Sequence, residues 1–227
     1  MRGKKDYGSI IADHIAAIIN QRGIEHILHF TRVENLPHIL RHGILSRATL
    51  AHADFAVQTS DAERLDERDD AISVSISCYA PAMFDAKRYR AGNRSWAILI
   101  LRPELLWHNH CLFLQQGAAT NAMKYEQGKR YGGYALERLF EDFPLPADPR
   151  VSFRSEYGLP SSWPTSSDAE VQVMEPIDPK YVLGAWVETS VDEALVRATF
   201  DQAGRTDCDT VAQPFLPRLS CKPYYWG

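Results

Sequence analysis

Cysteine is scarce in this sequence, and what there is forms no pattern. Cys78, Cys111, Cys208 and Cys221 are its four cysteines, and no two make a Cys-x-x-Cys pair. A chain of 227 residues can bury a core of its own and needs no disulfide staples. Reduced thiols in a cytosol are the simplest account, so a cytoplasmic location is expected. Long apolar runs are missing too. Behind the basic start (Met1, Arg2, Lys4, Lys5) the apolar stretch is broken by Asp13 and His14, which suits neither a signal peptide nor a membrane span. No membrane partner is expected. Positive charge is in deficit: 25 Lys and Arg stand against 29 Asp and Glu, a net charge of −4. A protein that grips long duplex DNA carries a basic face and usually a basic total. Any nucleic-acid contact here must come from a local patch.

Other absences narrow the fold. There is no βαβ series and no Gly-rich phosphate loop, which argues against a Rossmann dinucleotide site. Internal repeats and coiled-coil heptads are lacking. His108, His110 and Cys111 invite a zinc reading, but a tetrahedral site takes four ligands and the sequence offers no evident fourth. No metal is expected.

What is present is a mixed α+β order with 45% apolar residues. Ile11, Ile15, Ile18 and Ile19 recur at helical spacing and predict a helix over 9–21, closed by Gly23. Ile27 to Thr31 reads as a core strand. A brief helix follows from Asn35, with Pro37 in its first turn and Gly43 at its end. Residues 51–70 are charged and lose the apolar pattern. Ile72, Val74 and Ile76 then alternate with Ser73, Ser75 and Ser77 as a half-buried strand. Trp96–Leu101 is a further strand, and Pro103 opens a short helix after it. The stretch 141–169 is rich in proline and serine, and a loop that long is normally functional or disordered. Strands are predicted over 170–174 and 181–187. A last helix is opened by Ser190 with Glu193 three residues on, its apolar face carrying Val191, Leu195, Val196 and Phe200. We expect one domain over 1–227, with a core at about 24–204 and a tail at 205–227.

Three stretches together resemble the DarT-like DNA ADP-ribosyltransferases, toxins that take ADP-ribose from NAD and attach it to a DNA base. The first is His29-Phe30-Thr31, then Glu34-Asn35-Leu36-Pro37, then His42-Gly43-Ile44-Leu45. The second is Ser73-Val74-Ser75-Ile76-Ser77, followed by Tyr79, Pro81, Met83 and Phe84. The third is Asp168-Ala169-Glu170-Val171, just after the long loop. The resemblance implies an α+β ADP-ribosyltransferase fold, a split β-sandwich with flanking helices around an NAD cleft. By it, Glu170 would be the catalytic carboxylate. His29, Thr31 and Asn35 would bind NAD, as would Ser77, Tyr79, Met83 and Phe84 on the nicotinamide side. The family's NAD-binding element carries an arginine, for which Arg47, Arg64 and Arg68 are candidates and Arg64 is favoured. NAD would be the co-substrate. The partners implied are single-stranded DNA and an antitoxin ADP-ribosyl hydrolase of macrodomain or NADAR type. The serine strand and the Pro-x-Met-Phe segment look more like the guanine-modifying branch than the thymine-modifying one.

Those residues suit that chemistry. Breaking the nicotinamide–ribose bond builds positive charge on the sugar, which a fixed carboxylate stabilises. Lys87, Arg88, Arg90 and Arg94 form the densest basic cluster and are expected to hold DNA phosphates, while Trp163 can stack on an unpaired base. Plainer roles stand beside these. A glutamate at a strand start is usually on the surface, Tyr79 and Met83 are ordinary packing residues, and the arginines suit a solvated face. Two rival functions also remain: the same fold acting on RNA or protein, and a non-catalytic NAD or nucleic-acid binding module.

Overall fold

Trp96–Leu101 is apolar at every position, which suits a strand buried on both faces. In the computed structural model, which describes residues 7–55, 68–92, 94–118 and 130–215, that run is β3 (Trp96–Leu101). Ala97, Leu99 and Leu101 point into the main core, while Trp96 and Ile98 join a second, aromatic cluster with Leu28, Tyr79, Phe84 and Phe215. The other strands are β1 (Ile27–Arg32), β2 (Ile72–Ile76), β4 (Cys111–Leu114), β5 (Glu170–Val173), β6 (Val182–Val187) and β7 (Asp209–Ala212). They form a sheet in the order β4-β5-β2-β1-β3-β6-β7, and β6–β7 is its parallel pair.

The position of the site follows from how β2 is shared. Its first half pairs with β5, through Ile72↔Val173, Ser73↔Gln172 and Val74↔Val171. Its last residues pair with β1, through Ile27↔Ile76 and Leu28↔Ser75. Past Leu28 the two strands part, and β1 continues against β3 alone as far as Arg32. The sheet therefore splits into a β2-β5-β4 wing and a β1-β3-β6-β7 wing, with a wedge between them. This is the α+β split sheet that the resemblance implies.

The helices cover the main core. Helix α1 (Tyr7–Arg22) buries Ile15, Ile18 and Ile19, extending the expected span by two residues at the start and one at the end. Helix α2 (Leu36–His42) is followed by α3 (Arg47–Leu50), which Ser46 caps by accepting from the Thr49 N–H. Helix α4 (Pro81–Ala91) has Pro81 at its start, where a missing N–H costs nothing. Helices α5 (Leu105–His108), α6 (Gly133–Arg138) and α7 (Phe153–Glu156) follow, so the proline-rich stretch contains an ordered turn of helix. Helix α8 (Ser190–Gln202) begins one residue earlier in its cap than expected. Thr189 is extended and accepts from the Asp192 N–H, so Ser190 lies inside the helix. Its buried face is Val196 and Phe200, whereas Val191 and Leu195 are 77% and 55% exposed. The segment after 204 folds back as β7, and Phe215 is buried beyond it.

Candidate active site

The wedge is a pocket lined on one side by Leu28–Arg32 of β1 and on the other by Ala71 and the following Ile72–Ser75 of β2, and Glu170 lines it too. His29 projects from β1 across the opening. Its Nδ1 lies 3.0 Å from the Ser73 carbonyl oxygen. A carbonyl only accepts, so Nδ1 carries the proton. Burial pushes the imidazole pKa down to about 4, with Lys87 adding to the effect and the Ser73 bond opposing it. The ring is therefore neutral at pH 7, and Nε2 is left as an acceptor lone pair.

That state predicts a pH dependence. Unfolded histidine titrates near pH 6.5 and the folded ring near 4, so between these the unfolded chain binds a proton that the folded one does not. Stability falls as pH drops through this window, by at most about 3.4 kcal/mol. In His29→Gln the acid-side loss between pH 6.5 and 4 shrinks, as urea unfolding at stepped pH checks.

Glu170 opens β5 and is only 6% exposed. Its Oε1 accepts from the Ser73 hydroxyl at 2.6 Å, and its Oε2 accepts from the Ala118 N–H at 2.9 Å. Ladder pairing with Leu114 on β4 fixes its backbone. With a donor on each oxygen and its backbone in the ladder, the carboxylate has one orientation. Ser73 thus joins both walls of the wedge, its carbonyl serving His29 and its hydroxyl serving Glu170.

Further round the pocket, Asn35 Nδ2 donates to Thr31 Oγ1 at 3.2 Å, both residues being buried. The floor depends on Gly43, which has φ +85° and sits against Ile177. Ile44 and Ile177 exchange two backbone hydrogen bonds of 2.9 Å there. Arg32, Arg47 and Lys87 also line the pocket, as do Asp168 and Glu170.

The DarT family model, described as ssDNA thymidine ADP-ribosyltransferase, matches residues 28–214. The chain belongs to the DarT family. No curated protein matches it. Among solved structures, Thermus sp. 2.9 DarT in complex with carba-NAD+ is similar, with TM-score 0.55 and 13% identity over 83% of this chain and 95% of that one. The same protein in complex with ADP-ribosylated ssDNA gives TM-score 0.54 and 14% identity, covering 89% and 97%. Thermosipho africanus DarTG in complex with ADP-ribose gives 0.49 and 13%, and the chain spans 51% of that protein's length.

Of the residues that the DarT resemblance selects, the fold brings His29, Thr31, Asn35, Met83 and Glu170 to one pocket. Tyr79 and Phe84 do not line it. They are 2% and 1% exposed in the aromatic cluster. The reason is helical spacing on α4: Met83 and Lys87, four apart, face the pocket, and Phe84 on the next face packs against Phe30 and Trp96. Ser77 lies at the end of β2 with φ 57° and its N–H on the His26 carbonyl, also outside the pocket lining. Arg64 falls outside the described residues.

The basic cluster does not form one phosphate-holding face. Lys87 turns into the pocket, Arg88 pairs with Glu188 and lies over Phe84 and Phe215, and Arg94 pairs with Glu34 at 3.5 Å. Arg90 remains exposed. Trp163 is half-buried away from the pocket lining, its carbonyl accepting from Arg154. Among the described residues no group of three or more His, Cys, Asp or Glu side chains can hold a metal ion. Among them also, no helix is long and apolar enough to cross a membrane. Ser73 is a site residue that strand alternation alone does not distinguish from Ser75 and Ser77.

Proposed function

We propose that this protein transfers ADP-ribose from NAD to a base of single-stranded DNA, with Glu170 as the catalytic carboxylate. The observation that carries this is the doubly held Glu170 carboxylate facing the wedge whose other wall presents neutral His29. The solved Thermus DarT complexes with carba-NAD+ and with ADP-ribosylated ssDNA support both substrates.

In this reading NAD lies along the wedge. Arg32, Arg47 and Lys87 face its diphosphate, which moves Lys87 from the DNA to the dinucleotide and makes Arg47 the described arginine closest to the family's role. His29 Nε2 and Thr31 accept from sugar hydroxyls. Glu170 sits by the nicotinamide ribose, where its charge stabilises the developing oxocarbenium. The C1′–nicotinamide bond breaks and its electron pair leaves with nicotinamide. A ring or exocyclic nitrogen of the base forms the new C1′ bond and releases a proton to solvent.

Ser73→Ala tests the arrangement. It removes the hydroxyl donor to Glu170 while leaving the backbone carbonyl on His29. A hydrogen bond to a charged group contributes about 1.5–3 kcal/mol, so kcat falls by roughly 10- to 100-fold. NAD affinity stays nearly unchanged in isothermal titration.

The base is guanine in the reading that the serine strand and Pro81-Ala82-Met83-Phe84 favour. The family model's description favours thymidine. Mass spectrometry of oligonucleotides each lacking one base type separates the two: the product disappears with the base that accepts it. On the resemblance, the protein acts as a toxin whose product is removed by a macrodomain or NADAR-type hydrolase. Label from NAD appearing on RNA or protein and never on DNA would favour the rival acceptors.

A further inference from the structure

We propose that Arg154 fixes the acceptor side of the site, setting where DNA meets the wedge without taking part in holding NAD. The inference rests on the functional reading above. Residues 159–165 form neither helix nor strand, yet they lead directly into Asp168, Ala169 and Glu170, which line the pocket. A segment of this kind has carbonyls to satisfy and no ladder to satisfy them. Arg154 on α7 does so. Its Nη1 donates to the Trp163 carbonyl at 2.8 Å and to Thr165 Oγ1 at 2.9 Å, and its Nη2 donates to the Pro160 carbonyl at 2.7 Å.

The guanidinium is itself supported. The Arg154 backbone N–H donates to Asp142 Oδ1 at 3.0 Å, and the guanidinium stands 6.0 Å from the Phe140 ring centroid. Arg22 lies over the same ring at 4.0 Å and reaches the Ser161 carbonyl at 3.3 Å, while the Ser161 hydroxyl donates back to the Arg22 carbonyl at 2.9 Å. The Thr165 N–H adds a bond to the Leu139 carbonyl at 2.8 Å. A planar fork spanning three acceptors is a geometry that a lysine ammonium does not reproduce.

Glu170 is held by other means: its ladder to Leu114, the Ser73 hydroxyl and the Ala118 N–H. The two halves of the site are therefore braced separately. Loosening 159–165 moves the approach to Glu170 but leaves the carboxylate and His29 where they are. In the functional reading above the base reaches C1′ past this segment, which makes Arg154 a positioning residue for the acceptor.

The test compares wild type, Arg154→Ala and Arg154→Lys in the full chain. Three quantities are read: NAD affinity by isothermal titration, kcat and KM for a single-stranded oligonucleotide, and thermal unfolding. Misplacement by about 1 Å commonly costs up to 10²-fold in rate. We expect kcat/KM for the oligonucleotide to fall about 10- to 100-fold in Arg154→Ala, mostly through KM. NAD affinity should stay within about twofold. Arg154→Lys should lose most of the same efficiency, and it carries the test should the alanine variant not fold. Equal loss of NAD affinity and of oligonucleotide efficiency in the folded variants would overturn the assignment, as would unchanged efficiency. A wild-type protein that modifies no DNA would instead overturn the functional reading on which it rests.

Discussion

Glu170→Gln lowers the rate of ADP-ribose transfer by roughly 10²- to 10³-fold, the usual effect of removing one preorganised electrostatic group. The substitution is chosen to change charge and little else. Glutamine has the same length and volume, and its carbonyl oxygen accepts from the Ala118 N–H as Oε2 does in the native chain. Its amide NH2 then faces the Ser73 hydroxyl, which rotates to accept in place of donating. The ladder to Leu114 is untouched, so the strand stays in register. What disappears is the negative charge that the developing oxocarbenium needs. The loss should fall on kcat, with NAD affinity kept within a few fold, because the dinucleotide's other contacts remain. Single-turnover release of nicotinamide measures this directly.

Gly43→Ala is the substitution with the largest expected effect on stability. Gly43 has φ +85° and ψ 177°, a region that side chains rarely adopt, and an added Cβ would fall 2.4 Å from the Ile177 carbonyl oxygen. That atom is backbone and bonded to the Ile44 N–H, so it cannot swing away. Strain of the dihedral and overpacking add to about 2–5 kcal/mol. Against a typical total of about 5–15 kcal/mol this is a large share, and for a domain of this size it lowers Tm by roughly 4–20 °C. Because Gly43 and Ile44 line the pocket, NAD affinity falls with it. A variant with unchanged Tm would show that the Gly43–Ile177 approach is looser than described.

Much of this architecture is legible in the sequence where a single local rule decides it. Trp96–Leu101 is recovered to the residue because no polar side chain interrupts it, and β2 is recovered except at Ser77, which leaves the strand at φ 57°, because Ser and β-branched residues alternate. The motif His42-Gly43-Ile44-Leu45 acquires its reason in the approach to Ile177, a partner more than a hundred residues away. Other elements hide for identifiable causes. Strand β4 is four residues long behind His108-Asn109-His110, too short for a period to show. Helix α4 was readable from Pro81 as an N-terminal residue, and helical spacing would then have put Met83 and Lys87 on one face and Phe84 on another. Ser73 looks like any other serine of the strand, since its tie to Glu170 depends on the register of β5, which the local sequence does not carry. Arg154 is equally silent, because its partners are carbonyls.

On the function proposed above, NAD lies in the wedge where β1 and β2 part, with its reacting sugar at Glu170. A crystal structure of the Glu170→Gln variant soaked with NAD decides this. The nicotinamide ribose is expected within hydrogen-bond reach of residue 170, with the rest of the dinucleotide running past His29 toward Arg32, Arg47 and Lys87. NAD bound elsewhere, or with its nicotinamide ribose away from residue 170, would contradict it.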